Sequence, residues 1–297
     1  MSTTPMGQLL KGKVAIITGA NQGLGLEIAR HYIEAGASVS ICARDETLLA
    51  RAKSALSAKL AKDQKILAQV ADVSRADHVD FLVAETLRSF GQIDILVNNA
   101  GVYGPKGAVE DVRWEEWTRA IEINVYGSVL MSRAVLPHFK ARKRGKVIQL
   151  SGGGATSPLP KLSAYAVSKA AIVRFVDTLA EEVKDHGIDV NAIAPGPLNT
   201  RLLDEILEAG AERVGASFYE RALEQKEKGG APPEKGARLA VYLASDLSDG
   251  ITGKLISAIW DPWESLPRHL DELRNSDIYS LRRIVPGDRG KTWGDLG

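Results

Sequence analysis

Val14-Ala15-Ile16-Ile17-Thr18-Gly19-Ala20-Asn21-Gln22-Gly23-Leu24-Gly25 decides how the rest of the chain is read. Its first five residues form a short, largely β-branched apolar run, which fits a strand buried on both faces. Leu24, Ile28, Ala29, Tyr32 and Ile33 then recur at helical spacing until Gly36 stops the pattern. Between the two, Gly19, Gly23 and Gly25 permit a tight turn, close approach of backbone to a phosphate, and close packing of helix on strand. A helix beginning near Gly23 aims its free N–H groups and positive dipole end at a pyrophosphate. A glycine cluster alone equally fits a plain turn. Its place between a strand and a helix is what points to a nucleotide.

The alternation continues outward from this unit. Strands are expected at 38–42, 65–70, 93–97, 146–150, 188–193 and 254–258, and helices at 47–60, 76–90, 114–138 (one or two) and 164–186. Strands alternating with helices of this length predict a parallel sheet covered on both faces, with right-handed crossovers. Two stretches break the rhythm. Residues 201–233 are helical in character, mix Leu203, Ile206, Val214 and Phe218 with many charges, and end in Gly229-Gly230-Ala231-Pro232-Pro233, the composition of a hinged lid. Residues 260–297 hold three of the five tryptophans. Within 264–297, six acids balance six bases, and with Trp263, Tyr279, Ile284 and Trp293 the tail is too apolar for a solvated terminus. The expectation is one domain over 1–262 and an extension over 263–297 that packs across a neighbouring subunit. Arg282 and Arg283 there read as a salt-bridged surface or as a contact for an anionic substrate.

Composition narrows the class. The chain has 297 residues, 38 Lys and Arg against 37 Asp and Glu, and 44% hydrophobic residues, enough for a large core and too balanced for a nucleic-acid protein. The single cysteine, Cys42, has no internal disulfide partner. There is no run of about 18 apolar residues to cross a bilayer, and the N-terminus lacks a secretory pattern. A cytoplasmic protein without membrane contact is expected. His138 and His186 sit near helix ends, and no group of residues has metal-ligand spacing, so no metal is expected.

Four motifs stand in order: Gly19-x-x-x-Gly23-x-Gly25, Asn98-Asn99-Ala100-Gly101, Tyr165-x-x-x-Lys169 and Pro195-Gly196-x-x-x-Thr200. In these the sequence resembles the short-chain dehydrogenase/reductases from about residue 11 to 260. The resemblance implies an α/β, Rossmann-type, doubly wound parallel sheet of seven strands, in a homodimer or homotetramer. It implies that the dinucleotide is held by Gly19, Asn21, Gln22, Gly23, Leu24 and Gly25, with Asp72 and Val73 at the adenine. Asn98, Ala100 and Gly101 would line the adenosine ribose and support the nicotinamide site. Pro195, Gly196, Leu198 and Thr200 would hold the nicotinamide carboxamide. At the end of the second strand an acid would select NAD(H); Ala43 stands in that place and Arg44 follows, which favours NADP(H) while leaving NAD(H) open.

Tyr165 and Lys169, four apart, share one helix face, where a cation beside a phenol lowers its pKa. Such a phenol exchanges a proton with a carbonyl or alcohol oxygen. By the resemblance Lys169 also binds the nicotinamide ribose, and Asn124 distorts its helix and supports a proton relay. The family serine, thirteen residues before its tyrosine, is here Gly152. Ser151 is the nominated substitute, although neighbours on an extended chain face opposite ways. Thr156, Ser157, Ser163 and the Gly152 amide are the other candidates. The resulting reading is an oxidoreductase interconverting a carbonyl and a secondary alcohol. A dehydratase or epimerase with bound cofactor, or a non-catalytic cofactor-binding protein, are the rivals.

Overall fold

Alternate residues of each strand feed two separate cores. Ala15, Ile17, Ile95, Val97 and Ile148 join one, while Ile16, Leu96 and Val147 join the other. That two-sided burial is why the strands read as continuous apolar runs. The computed structural model describes residues 8–293; the N-terminal residues read for a secretory pattern begin outside them, as does Asp295 of the tail. The strands are β1 (Val14–Thr18), β2 (Ser38–Ala43), β3 (Ile66–Val70), β4 (Ile95–Asn98), β5 (Gly145–Leu150), β6 (Ile188–Ala194) and β7 (Lys254–Ser257). They form one all-parallel sheet in the order β3-β2-β1-β4-β5-β6-β7, the Rossmann-type arrangement. The order reverses between β1 and β4, and a crevice opens there beyond the carboxyl ends of the strands.

Helices α1 (Gly23–Glu34), α2 (Glu46–Ser57), α3 (Ala76–Phe90), α4 (Trp114–Ile121), α5 (Gly127–Arg142) and α6 (Ser163–Val183) follow in order. The pattern over 114–138 is therefore two helices, with a π-turn at Glu122–Tyr126 between them. The fourth strand starts at Ile95 rather than at 93 for a specific reason. The Ile93 amide donates to His138 Nε2 (3.1 Å) and its carbonyl accepts from Arg142 (3.0 Å), so Ile93 is not free to pair, and ladder bonding begins only at Asp94, whose amide donates to the Val14 carbonyl (2.8 Å). His138 thus has a structural partner rather than a purely surface role.

The stretch after β6 forms α7 (Arg201–Val214), broken at Gly210 (φ 78°), and α8 (Ala216–Lys228), before α9 (Pro233–Ala244) returns to the sheet. The tail folds back on its own chain. A 3-10 segment (Trp263–His269) and α10 (Leu270–Arg274) bury Leu266 and Leu273 in the core that contains α9, and Trp263 packs on Tyr242 with ring centroids 5.3 Å apart. The Leu255 amide, on the open side of β7, donates to the Tyr279 carbonyl (2.8 Å). Lys254 Nζ reaches the Ser276 and Ile278 carbonyls (3.2 and 2.9 Å), and Arg174 reaches that of Leu281. Arg282 is paired with Asp277 and Asp288, the salt-bridged alternative of the two read from the sequence.

Candidate active site

A single cavity of about 1310 Å³ runs along the carboxyl ends of the strands. At one end lies the glycine turn. Gly19 has φ +63°, and a Cβ there would sit 2.8 Å from the Ala100 Cα, so only glycine lets β1 and β4 approach this closely. The approach is clasped by two side chains that pattern reading did not single out. Thr18 Oγ1 accepts from the Asn99 and Ala100 amides (3.0 Å each), and Asn99 Nδ2 donates to the Thr18 and Gly19 carbonyls (2.9 and 3.0 Å). The α1 N-terminus has no side-chain cap, so its first-turn amides are left for an anion.

Asn21, Gln22, Gly23, Leu24, Arg44, Asp72, Val73, Ala100 and Gly101 line this half of the cavity. Gly25 packs beneath it instead, where any side chain would strike Asn99. The Asn98 side chain points away from the cavity: its buried amide donates to Ser128 O (3.3 Å) and Ser132 Oγ (3.4 Å) on α5, which leaves only the backbone of this residue for the role the resemblance implies. Asp72 resists burial, which raises its pKa, through Ser74 and Arg119, whose hydrogen bonds hold it below the usual carboxylate range. Arg44 is exposed at the cavity wall and makes no ion pair among the described residues.

At the other end Tyr165 and Lys169 lie one turn apart on α6, both buried, with Lys169 Nζ 5.5 Å from the Tyr165 ring centroid. Lys169 donates to the Leu150 carbonyl at the end of β5 (2.7 Å). Burial brings its ammonium down to about 8. Burial, with Tyr103 beside it, pushes the Tyr165 phenol above its ordinary value. Burial is the largest influence on this phenol and opposes the lowering expected from a nearby cation. Asn124 lies in the π-turn. Its Oδ1 accepts from the Val102 amide, and its Nδ2 donates to the Val102 carbonyl and to Ser168 Oγ (2.9 Å each). One asparagine in a distorted turn therefore ties the β4 loop to α6.

In the serine region, Ser151 lines the cavity, but its hydroxyl oxygen is buried without a hydrogen-bond partner among the described residues. A Cβ at Gly152 would lie 2.5 Å from Tyr165 Oη, so the glycine leaves that hydroxyl the room it occupies. Ser163 accepts from Trp117 Nε1 (3.1 Å), while Thr156 lines the cavity. Pro195, Gly196, Leu198 and Thr200 form the floor after β6. Leu203, Ile206 and Ala222 from α7 and α8 cluster with Leu162 and Tyr165, and half-buried Tyr103, Leu159 and Phe218 complete that wall. Among the described residues no three His, Cys, Asp or Glu side chains gather as a metal site requires, and no helix is long and apolar enough to cross a membrane.

Fold and site together define a nucleotide-dependent oxidoreductase architecture, and comparison with known proteins agrees. Residues 13–210 match the family described as short chain dehydrogenase. The chain is 34% identical over 241 residues to L-fucose dehydrogenase of Bos taurus, covering 81% of this chain and 86% of that protein. It is 36% identical over 250 residues to 3beta-hydroxysteroid dehydrogenase 1 of Eggerthella lenta, covering 82% and 91%. The crystal structure of levodione reductase superposes with a TM-score of 0.77 at 26% identity, covering 87% of this chain and 99% of that one. The chain belongs to the short-chain dehydrogenase family, and is an NAD(P)-dependent oxidoreductase.

Proposed function

We propose that the protein interconverts a carbonyl and a secondary alcohol with a preference for NADP(H), using Tyr165 as general acid and base. The observation that carries this reading is the cavity itself, which joins an uncapped helix N-terminus and Arg44, with no ion pair among the described residues, to a buried Tyr165 and Lys169. The cradle fits a nicotinamide dinucleotide: Gly19 leaves no volume for a side chain, and the α1 amides suit a pyrophosphate. Ala43 leaves the end of β2 without an acid, and the Arg44 guanidinium suits a 2′-phosphate. When bound, the nicotinamide supplies or accepts the hydride.

The chain's own residues do the rest. Tyr165 Oη holds the proton that passes to a carbonyl oxygen or returns from an alcohol, and its raised pKa keeps that proton in place at neutral pH. Lys169 offers a cation to the nicotinamide ribose. Asn124 fixes the spacing between the β4 loop and α6, and so the geometry in which Tyr165 works. Helices α7 and α8 form the lid of a single domain, and Leu159, Leu203, Ile206 and Phe218 favour an apolar substrate body. Incubation with NADPH or NADH and a panel of aldehydes and ketones tests the reading. Carbonyl-dependent loss of reduced-nicotinamide absorbance, faster with NADPH, is expected. No carbonyl-dependent oxidation of either cofactor overturns it.

A further inference from the structure

By the family resemblance Gly152 stands where a serine hydroxyl would meet the substrate oxygen, and Ser151 and Ser163 do not replace it: Ser151 Oγ is buried and Ser163 Oγ accepts from Trp117. Tyr103, on the loop after β4, differs from both. Its backbone neighbour Val102 is pinned on both sides by Asn124. Its ring packs against that of Tyr165 with centroids 4.5 Å apart and planes tilted by 60°. On the other side Lys106 Nζ lies 5.7 Å from the Tyr103 centroid, itself held by Glu205 of α7 (3.2 Å) and the Gly104 carbonyl (3.4 Å). The ring is therefore gripped at the reacting end. Its hydroxyl makes no hydrogen bond within the described residues, yet it is absent from the sealed, unpartnered oxygens, and Tyr103 lines the cavity. An unsatisfied donor open to a half-buried cavity is a group waiting for an acceptor.

We propose that Tyr103 donates a second hydrogen bond to the substrate oxygen at which Tyr165 exchanges its proton, the role that Gly152 leaves vacant. This rests on the carbonyl–alcohol reading above. Burial, with the Glu205 carboxylate nearby, holds the Tyr103 phenol up at about 12, so it remains a donor throughout the neutral range. Two neutral phenols then flank an oxygen whose negative charge grows as hydride arrives. A donor aimed at such an oxygen typically contributes about 10²–10³ in rate.

The test compares Tyr103→Phe, which keeps the ring and its packing, with Thr156→Val and Tyr165→Phe. Two readouts are taken: kcat/KM for a reducible ketone, and the Kd of an unreactive carboxamide, isobutyramide, on the cofactor-loaded protein. The expected result is a loss of about 10²-fold in kcat/KM for Tyr103→Phe and weaker carboxamide binding, with unchanged thermal midpoint and cofactor affinity. A Tyr103→Phe variant within twofold of wild type in both readouts, or a loss confined to Thr156→Val, overturns the assignment. Failure of the two ideas is distinguishable. If Tyr165→Phe is inactive while Tyr103→Phe is normal, only the Tyr103 role falls. If the wild type reduces no ketone, the carbonyl–alcohol reading falls, and carboxamide binding alone decides whether Tyr103 meets a carbonyl oxygen.

Discussion

Replacing Gly152 with alanine is the sharpest perturbation of this site. The added Cβ would stand 2.5 Å from Tyr165 Oη and 3.4 Å from its Cζ. Ordinary contact begins near 3.4 Å, so the hydroxyl must retreat by about 1 Å. It cannot do so freely, because the Tyr165 ring is braced by Tyr103. The backbone itself tolerates alanine, since Gly152 is not among the glycines of positive φ. A displacement of about 1 Å at a reacting group costs roughly 10²-fold in rate, and overpacking of this kind costs about 1–3 kcal/mol in stability. The assay is kcat/KM for ketone reduction beside the Kd for NADPH and a urea unfolding curve. Gly153→Ala is the internal control, because a Cβ there meets nothing within 4 Å. A Gly152→Ala enzyme as active as Gly153→Ala would refute the claim that Gly152 makes room for the Tyr165 hydroxyl.

Three further outcomes follow from the same geometry. Arg44→Ala removes the guanidinium that follows β2 and should weaken NADPH by about 10–100-fold while leaving NADH nearly unchanged; equal losses for both cofactors would contradict the phosphate role. Lys169 titrates near 8 in the folded protein, so kcat/KM for NADPH should fall as pH rises through about 8. The sign for stability is opposite, because the unfolded chain keeps that proton up to about 10.4 and the native state therefore gains from rising pH between the two values. A pH-independent kcat/KM across this range would exclude a required charge on Lys169. Leu266→Ala opens a cavity where the tail joins the core and should cost about 2–5 kcal/mol in urea unfolding; a loss below about 1 kcal/mol would mean the tail is not integral to the fold.

The layered fold was legible because burial on both faces of a parallel sheet writes itself as apolar runs, and because the helices between them keep their own period. Strand limits slipped where side chains compete for backbone groups, as His138 and Arg142 do at Ile93 before β4. The glycine turn and the Tyr165–Lys169 pair were legible because each depends on local spacing. The clasp of Thr18 with Asn99 and the packing of Tyr103 on Tyr165 were not, because they join residues that are distant in sequence and have no period. The orientations of the Asn98 and Ser151 side chains were not legible either, for one shared reason. On extended backbone a shift of one position turns the side chain away from the cavity, and motif register alone does not reveal which neighbour faces in. The tail is too apolar for solvent, but its covering of β7 rests on the Leu255 amide bonding the Tyr279 carbonyl and on Lys254 Nζ bonding the Ser276 and Ile278 carbonyls, which leave no mark in composition.

The central claim is that Tyr165 supplies the proton in a nicotinamide-dependent exchange between carbonyl and alcohol. Measuring ketone-dependent NADPH oxidation by Tyr165→Phe, alongside its NADPH affinity, tests it most directly. The account predicts a fall of about 10³-fold or more in kcat with cofactor affinity preserved. A Tyr165→Phe enzyme that keeps at least about a tenth of wild-type turnover would contradict it, since general acid–base assistance is worth far more than that.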